Sequence, residues 1–289
     1  MIPYRAGPGG WSVRMKTAEE LEIFENKPVF QAVLKLALPT IAGQIILVLY
    51  NMADTYFIGL THSDAKLSAL TVCMPAFMIL SAISNLFGVG GSATISRALG
   101  KNQPKRATDA SCFAVWGCLI TTLLYSLLVW INIDFFVNML GGIHPETHEM
   151  AKIYLRYTVI LGGIFTSLGT LFSHLVRSEG RSMEAGIGVM AGGILNIILD
   201  PLFMFVILPE GNETMGAGLA TMLSNLATFT YLLIVMFHNR KQSVLSVRFP
   251  GFHLESKVVA SVIAIGMPAC VMTLFENVSY AVLDNLEAL

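Results

Sequence analysis

The sequence predicts an all-α, polytopic membrane protein, and three observations carry that prediction. The chain of 289 residues is 54% hydrophobic and 13% charged, with a mean hydropathy of +0.66, whereas a soluble domain carries roughly 25% charged residues. Apolar runs recur at lengths that cross a bilayer, about 20 residues per helix. Lysine and arginine are concentrated in alternate loops between those runs. A net charge of -1 gives no support for nucleic-acid binding.

Seven runs qualify, covering approximately 33–60, 67–97, 107–133, 152–176, 182–208, 216–238 and 257–284 by the 20-residue criterion. Residues 1–32 form a polar N-terminal segment in which Met15 is an alternative start. The first apolar run begins only near Val29, and no small-residue cleavage site follows it, so no cleaved signal peptide is expected. The first six runs make a unit over 33–238, a polar loop covers 239–256, and 257–289 holds the seventh run. Turn formers separate the runs, as at Gly141-Gly142 and at Pro209-Glu210-Gly211-Asn212.

Charge sets the orientation. The loop after the second run has Arg97, Lys101, Lys105 and Arg106, and the loop after the fourth has Arg177 and Arg181. The loop after the sixth has Arg240, Lys241 and Arg248, while the other three loops carry only Lys66. The positive-inside rule then puts the N-terminus in the cytoplasm and runs the odd spans outward, through a cell inner (plasma) membrane.

Against this apolar background, Asp200 stands out. An aspartate at the centre of a membrane helix costs about 2.5 to 3.5 kcal/mol, so it is a functional-site candidate by default. Asn196 lies four residues earlier on the same helical face. Asp54 is a second intramembrane carboxylate. At 1.5 Å of rise per residue, Asp54 lies roughly 9 Å from the outer end of its span, Asp200 roughly 12 Å, Thr221 roughly 8 Å and Glu276 roughly 12 Å. Groups from different spans at similar depth are expected to line one outer-half cavity. Two poorly hydrated carboxylates side by side repel. They can share a proton, or take a sodium ion with Asp, Asn and Thr oxygens as hard ligands. Pro39 and Pro201 are candidate bending points. The openings of the first and seventh runs, ending in Pro39 and Pro268, are alike, as expected if the seventh run begins a second copy of a six-span unit.

Six segments follow in order: Leu38-Pro39-Thr40, Asn51-Met52-Ala53-Asp54-Thr55-Tyr56, Gly88-Val89-Gly90-Gly91-Ser92-Ala93, Arg177-Ser178-Glu179-Gly180, Asn196-Ile197-Ile198-Leu199-Asp200-Pro201 and Gly216-Ala217-Gly218-Leu219-Ala220-Thr221. Together, in this order and at these spacings, they resemble the multidrug and toxin extrusion (MATE) family. The resemblance implies a twelve-helix transporter in two six-helix lobes. This chain then supplies the N-terminal lobe and the seventh helix, as a truncated member of the bacterial and archaeal type. It implies export of small organic, often cationic amphipathic compounds in exchange for Na+ or H+. The matching cation-site positions are Asp54, Asn196, Asp200 and Thr221, and Glu276 resembles a second-lobe coupling residue of another branch. It further implies a lipid bilayer and drug-like substrates as partners, no cofactor, no enzymatic reaction and a monomer when full length.

Two readings compete with a multidrug antiporter. A lipid-linked oligosaccharide flippase of the same superfamily should have a cationic cavity, whereas the buried charges expected here are acidic. A transport-incompetent fragment is the other. An intramembrane aspartyl protease is disfavoured because Ile197-Ile198-Leu199 precede Asp200 in place of Gly-x-Gly.

Other signals point to structure. Gly88-Val89-Gly90-Gly91 sits in an apolar span and is expected to pack helices, not to bind a dinucleotide. His144-Pro145-Glu146-Thr147-His148-Glu149 lacks metal-site spacing and is expected to be a solvated outer loop. Cys73, Cys112, Cys118 and Cys270 are expected as small buried hydrophobes, and His174 as a local hydrogen-bond donor. The Asn212-Glu213-Thr214 sequon has meaning only in a eukaryotic secretory pathway.

Overall fold

A computed structural model describes residues 29–240, 243–248 and 255–287. The N-terminal segment and the alternative start at Met15 lie outside the described residues. Among those described there are nine α-helices, two π-helical segments and no strand. They are α1 (Val29–Gly59), α2 (Asp64–Gly100), α3 (Pro104–Ile131), α4 (Ile133–Met139), α5 (Pro145–Leu155), α6 (Gly163–Ser178), α7 (Ser182–Leu202), α8 (Glu213–His238) and α9 (Ser256–Glu287). A π segment, Arg156–Leu161, continues α5, and another, Phe203–Ile207, continues α7.

Six helices are long and apolar enough to cross a membrane, and the α5–α6 pair counts as a seventh if it is one broken span. Here the structure corrects the sequence reading, which drew a single span over 152–176. The helix starts seven residues earlier, at Pro145, and bends by 48° before α6. The break has a local cause. Gly162 donates its N–H to the Tyr157 carbonyl, five residues back, at 2.9 Å. A Cβ on Gly162 would sit 2.5 Å from that carbonyl. The π register and the missing side chain let the chain turn there without a proline.

Within the 144–149 segment, 145–149 are likewise corrected from loop to helix, with His144 at the N-cap. Its prolyl residue, Pro145, occupies the first helical turn, where no N–H is needed. His148 bridges the Gly142 carbonyl and Asp134, each at 3.0 Å, and Lys152 reaches Asp134 at 2.9 Å. Lys152 and His148 together hold the exposed Asp134 carboxyl below the ordinary carboxylate range. This cluster ties α4 to α5. At the same end, Lys66 pairs with Glu213 at 2.7 Å and joins the start of α2 to the start of α8.

Small residues set the crossings, as expected where lipid gives no hydrophobic drive between helices. Gly88, Gly90 and Gly91 face three different neighbours: His174 on α6, the Val262 carbonyl on α9, and Ala114 on α3. On α9, a Cβ at Gly266 would fall on the Leu86 carbonyl of α2. Gly186 meets the Pro39 carbonyl at 2.7 Å and Gly193 meets Ile46 at 2.5 Å, counted from a would-be Cβ, which locks α1 onto α7. Pro39 sits within an unbroken α1, and the helix after Pro201 changes to π register. Cys73, Cys112 and Cys118 are buried and all four cysteines are free.

Two apolar clusters fill the bundle. One gathers Ile95, Leu171, Phe172, Leu175 and Val258, the other Ile58, Leu70, Leu80, Val137 and Leu155. Outward faces of α1 and α3 expose Ile41, Ile45, Val48, Leu124, Leu127 and Leu128, as a lipid-facing surface should.

The segment after α8 was read as a polar loop over 239–256. Of its described residues, 243–248 form a strap docked on the bundle. Thr108 and Trp116 of α3 donate to the carbonyls of Val244 and Val247, each at 3.0 Å. Ser111 accepts the N–H of Ser246 at 3.1 Å. Val244 and Leu245 are buried.

Candidate functional site

The site begins with two helical pairs at one spacing. Tyr50 and Asp54 lie four apart on α1, and Asn196 and Asp200 lie four apart on α7, so each pair occupies one face. Gly193, which has no side chain to hold the helices apart, lets α7 meet Ile46 and Tyr50. The pairs therefore face each other. The Asp54 and Asp200 side chains are within interacting range, and Asn196 Nδ2 donates to Asp200 Oδ1 at 3.5 Å. Both carboxyls are sealed from solvent, Asp54 5% and Asp200 0% exposed. Tyr50 and Tyr154 stand near enough for both carboxyl charges to act on their phenols.

Thr221 reaches the same region from α8. The first turn of α8 lies against the backbone of Phe203 and Met204, because Gly216 adds no Cβ there. Gly218 does the same against Tyr154 and Tyr157. Thr221 is buried, and its carbonyl accepts from Ser224 at 3.0 Å.

An orphaned oxygen marks each of the four residues. Asp54 Oδ1, Asp200 Oδ2, Asn196 Oδ1 and Thr221 Oγ1 are buried and have no hydrogen-bond partner. Buried polar atoms in native proteins are nearly always satisfied, and each exception asks for an explanation. All four are hard oxygen acceptors drawn from three helices, a donor set suited to a hard cation or to protons. Among the described residues no group of three or more His, Cys, Asp or Glu could hold a metal ion, so a transition-metal centre has no ligand set there.

Beside this cluster lies a cavity of about 370 Å³. Asn196 and Thr221 are on its wall, and Glu276, exposed on α9, lines it as well. Asp54 and Asp200 do not line it, which corrects the expectation that all these groups would line one cavity. The carboxyl pair lies behind Asn196 and Thr221. α9 reaches the cavity through Thr273, which accepts from Asn85 of α2 at 2.8 Å.

The cavity runs along α6 from Thr166 to Arg177. In the sequence Arg177 serves as a topology marker and as part of the Arg177-Ser178-Glu179-Gly180 segment, not as a cavity residue, and the buried charges are expected to be acidic. Its half-buried guanidinium faces the cavity. Ser173 accepts from Arg177 at 3.3 Å, and Arg177 Nε is buried without a partner. His174 also lines the cavity and packs on Gly88.

Tyr50 and Tyr154 were not singled out in the sequence. Tyr50 could have been, since it precedes Asp54 by the four residues that separate Asn196 from Asp200. Tyr154 is brought in by the α5–α8 packing, for which the sequence carries no local signal.

Residues 39–202 match the MatE family model. The chain is 31% identical over 266 residues to the multidrug export protein MepA of Staphylococcus aureus (strain NCTC 8325 / PS 47), covering 92% of this chain and 57% of that protein. It is 28% identical to the protein of the same description from Staphylococcus saprophyticus, again over 92% of this chain and 57% of that one. The crystal structure of MATE in complex with MaD3S superposes with a TM-score of 0.80 at 24% identity, over 90% of this chain and 56% of that chain. The chain thus spans about half the length of the curated relatives it matches.

Proposed function

We propose, for a chain that belongs to the MatE family, that it acts in cation-coupled export of small organic, often cationic amphipathic compounds across a membrane, with Asp54, Asn196, Asp200 and Thr221 as the cation site. One observation carries the reading: each of these four residues leaves a buried oxygen unpaired, and they are gathered by the crossings of α1, α7 and α8.

The physical argument is short. Two carboxylates in a dry site repel each other strongly at low effective dielectric. A cation entering between them removes that repulsion and satisfies the orphaned acceptors. A proton can do so by bridging the carboxyls, and Na+ can do so by drawing on the Asn196 and Thr221 oxygens too. The occupied and vacant forms then favour different helix arrangements, since a ligand shifts a conformational equilibrium by its differential affinity for the two states. The π segment Phe203–Ile207 is separated from Pro201 by one residue, so rearrangement at Asp200 has a deformable element beside it. Cationic compounds and the coupling ion would compete for the same acidic region, which couples their movements. An acidic cation site also supports an exporter over a flippase for pyrophosphate-linked sugars.

The test is accumulation of a fluorescent cationic dye in cells carrying the chain. It is measured with a sodium gradient at fixed pH and with a pH gradient at fixed sodium. Coupled efflux is expected in one arm and lost in Asp54→Asn and Asp200→Asn. Efflux at wild-type rate in both variants would overturn the site.

A further inference from the structure

The cavity beside the cation site carries two charges that the cation site does not use. Arg177 faces it from α6 and Glu276 from α9. Neither is paired with the other or, among the described residues, with any third charged side chain. Among the described residues the guanidinium of Arg177 donates to one hydroxyl, that of Ser173, and its Nε is buried and unpartnered. An unpaired, partly desolvated cation is costly, and the C-terminal turn of α6 in which Arg177 sits offsets only part of that cost. Its neighbour Arg181, by contrast, is paired with both Glu179 and Glu184. The wall of the cavity carries hydroxyls and amides, including Thr170, Asn225 and Thr228, beside apolar groups such as Leu47, Phe77 and Val189, which suits an amphipathic compound.

From this we infer that the Arg177 end of the cavity is a subsite for the carboxylate of a zwitterionic amphipathic compound. Arg177 gives the carboxylate a planar fork of donors, and Ser173, which accepts from Arg177 and donates to the Thr170 carbonyl at 2.8 Å, holds that fork in place. Glu276 in the same cavity repels a compound that is purely anionic. The combination selects a molecule carrying both an acidic and a basic group. This inference rests on the export reading and narrows its substrate class.

A matched dye pair tests it. Rhodamine 110 carries a free carboxyl, and rhodamine 123 is its methyl ester with the same cationic ring system. Binding of each to the purified full chain in detergent is read by fluorescence anisotropy. The wild type is expected to bind the acid about tenfold tighter than the ester, the scale of one charge-assisted contact. In Arg177→Gln that ratio falls to about one. Should Arg177→Gln fail to fold, judged by its melting curve, Arg177→Lys carries the comparison. Its ratio falls below the wild type's because an ammonium offers no fork. An ester bound as tightly as the acid by the wild type, or a ratio unchanged in the variant tested, overturns the subsite. Ester binding without acid preference leaves the export reading standing, whereas binding of neither dye sinks both.

Discussion

Glu179 accepts the backbone N–H of Val244 at 2.8 Å, which fastens the strap between α8 and α9 to the turn that follows α6. Ser243 donates to the same carboxylate at 2.8 and 2.9 Å to its two oxygens. Gly180, at φ +84°, allows the turn that presents Glu179, because a left-handed backbone there suits glycine.

Removing the Glu179 carboxylate should therefore loosen the strap. In Glu179→Ala, hydrogen bonds to a charged acceptor are lost and the Val244 N–H is left without its partner. A loss of about 2 to 3 kcal/mol is expected. Hydrogen exchange across 243–248 should rise more than exchange in α7, and equal protection in variant and wild type would contradict the assignment.

The same carboxyl gives a pH dependence. Burial raises Glu179 above its ordinary value of 4.5, and the bonds from Ser243 and Val244 with the Arg181 charge only partly oppose it. The folded chain thus holds this proton more tightly than the unfolded chain. Its contribution to stability is greatest below pH 4.5 and declines as pH rises through the raised folded value. The melting temperature of wild type minus that of Glu179→Gln should fall across that window. A difference that rises with pH would reverse the sign and refute the burial argument.

The α2–α9 crossing makes a third prediction. A Cβ at Gly266 falls on the Leu86 carbonyl, and backbone cannot step aside as a side-chain tip can. Gly266→Leu should push α9 away and cost about 1 to 3 kcal/mol, the usual range for overpacking. A short thiol cross-linker between Asn85→Cys and Thr273→Cys, whose native side chains are hydrogen-bonded, should react in the parent and fail in the Gly266→Leu background. Equal cross-linking in both would mean that the close approach is not needed.

What could be read in advance divides along physical lines. Spans were legible because about 20 apolar residues in a row have few other uses. Asp54, Asn196, Asp200 and Thr221 were legible as candidates, because polar groups in such runs are costly and their depths agree, and all four are buried. Arg177 was missed as a cavity residue because hydropathy puts it at a span end, where a cation usually reaches water. Its inward aim depends on how α6 sits against α2 and α7. The 48° break at Gly162 was missed because the sequence there is apolar on both sides and lacks proline. The strap was read as linker because short polar segments look alike until their partners, here Thr108, Ser111, Trp116 and Glu179, are brought beside them by folding.

Thr221 offers the sharpest separation of a cation ligand from an ordinary buried hydroxyl. A hydroxyl that supports the fold makes hydrogen bonds, and deleting it costs stability. Thr221 Oγ1 makes none and is buried, so Thr221→Val removes an unsatisfied acceptor while nearly keeping the shape. In potassium buffer the variant should be more stable than wild type, by about 1 kcal/mol. Sodium should raise the wild-type melting temperature with concentration, as any ligand of the native state does, and should raise the variant's much less. A wild type indifferent to sodium but protected at low pH would make the proton the coupling ion, with Asp54 and Asp200 sharing it. A Thr221→Val chain less stable than wild type in every buffer would make Thr221 a structural hydroxyl and remove it from the site.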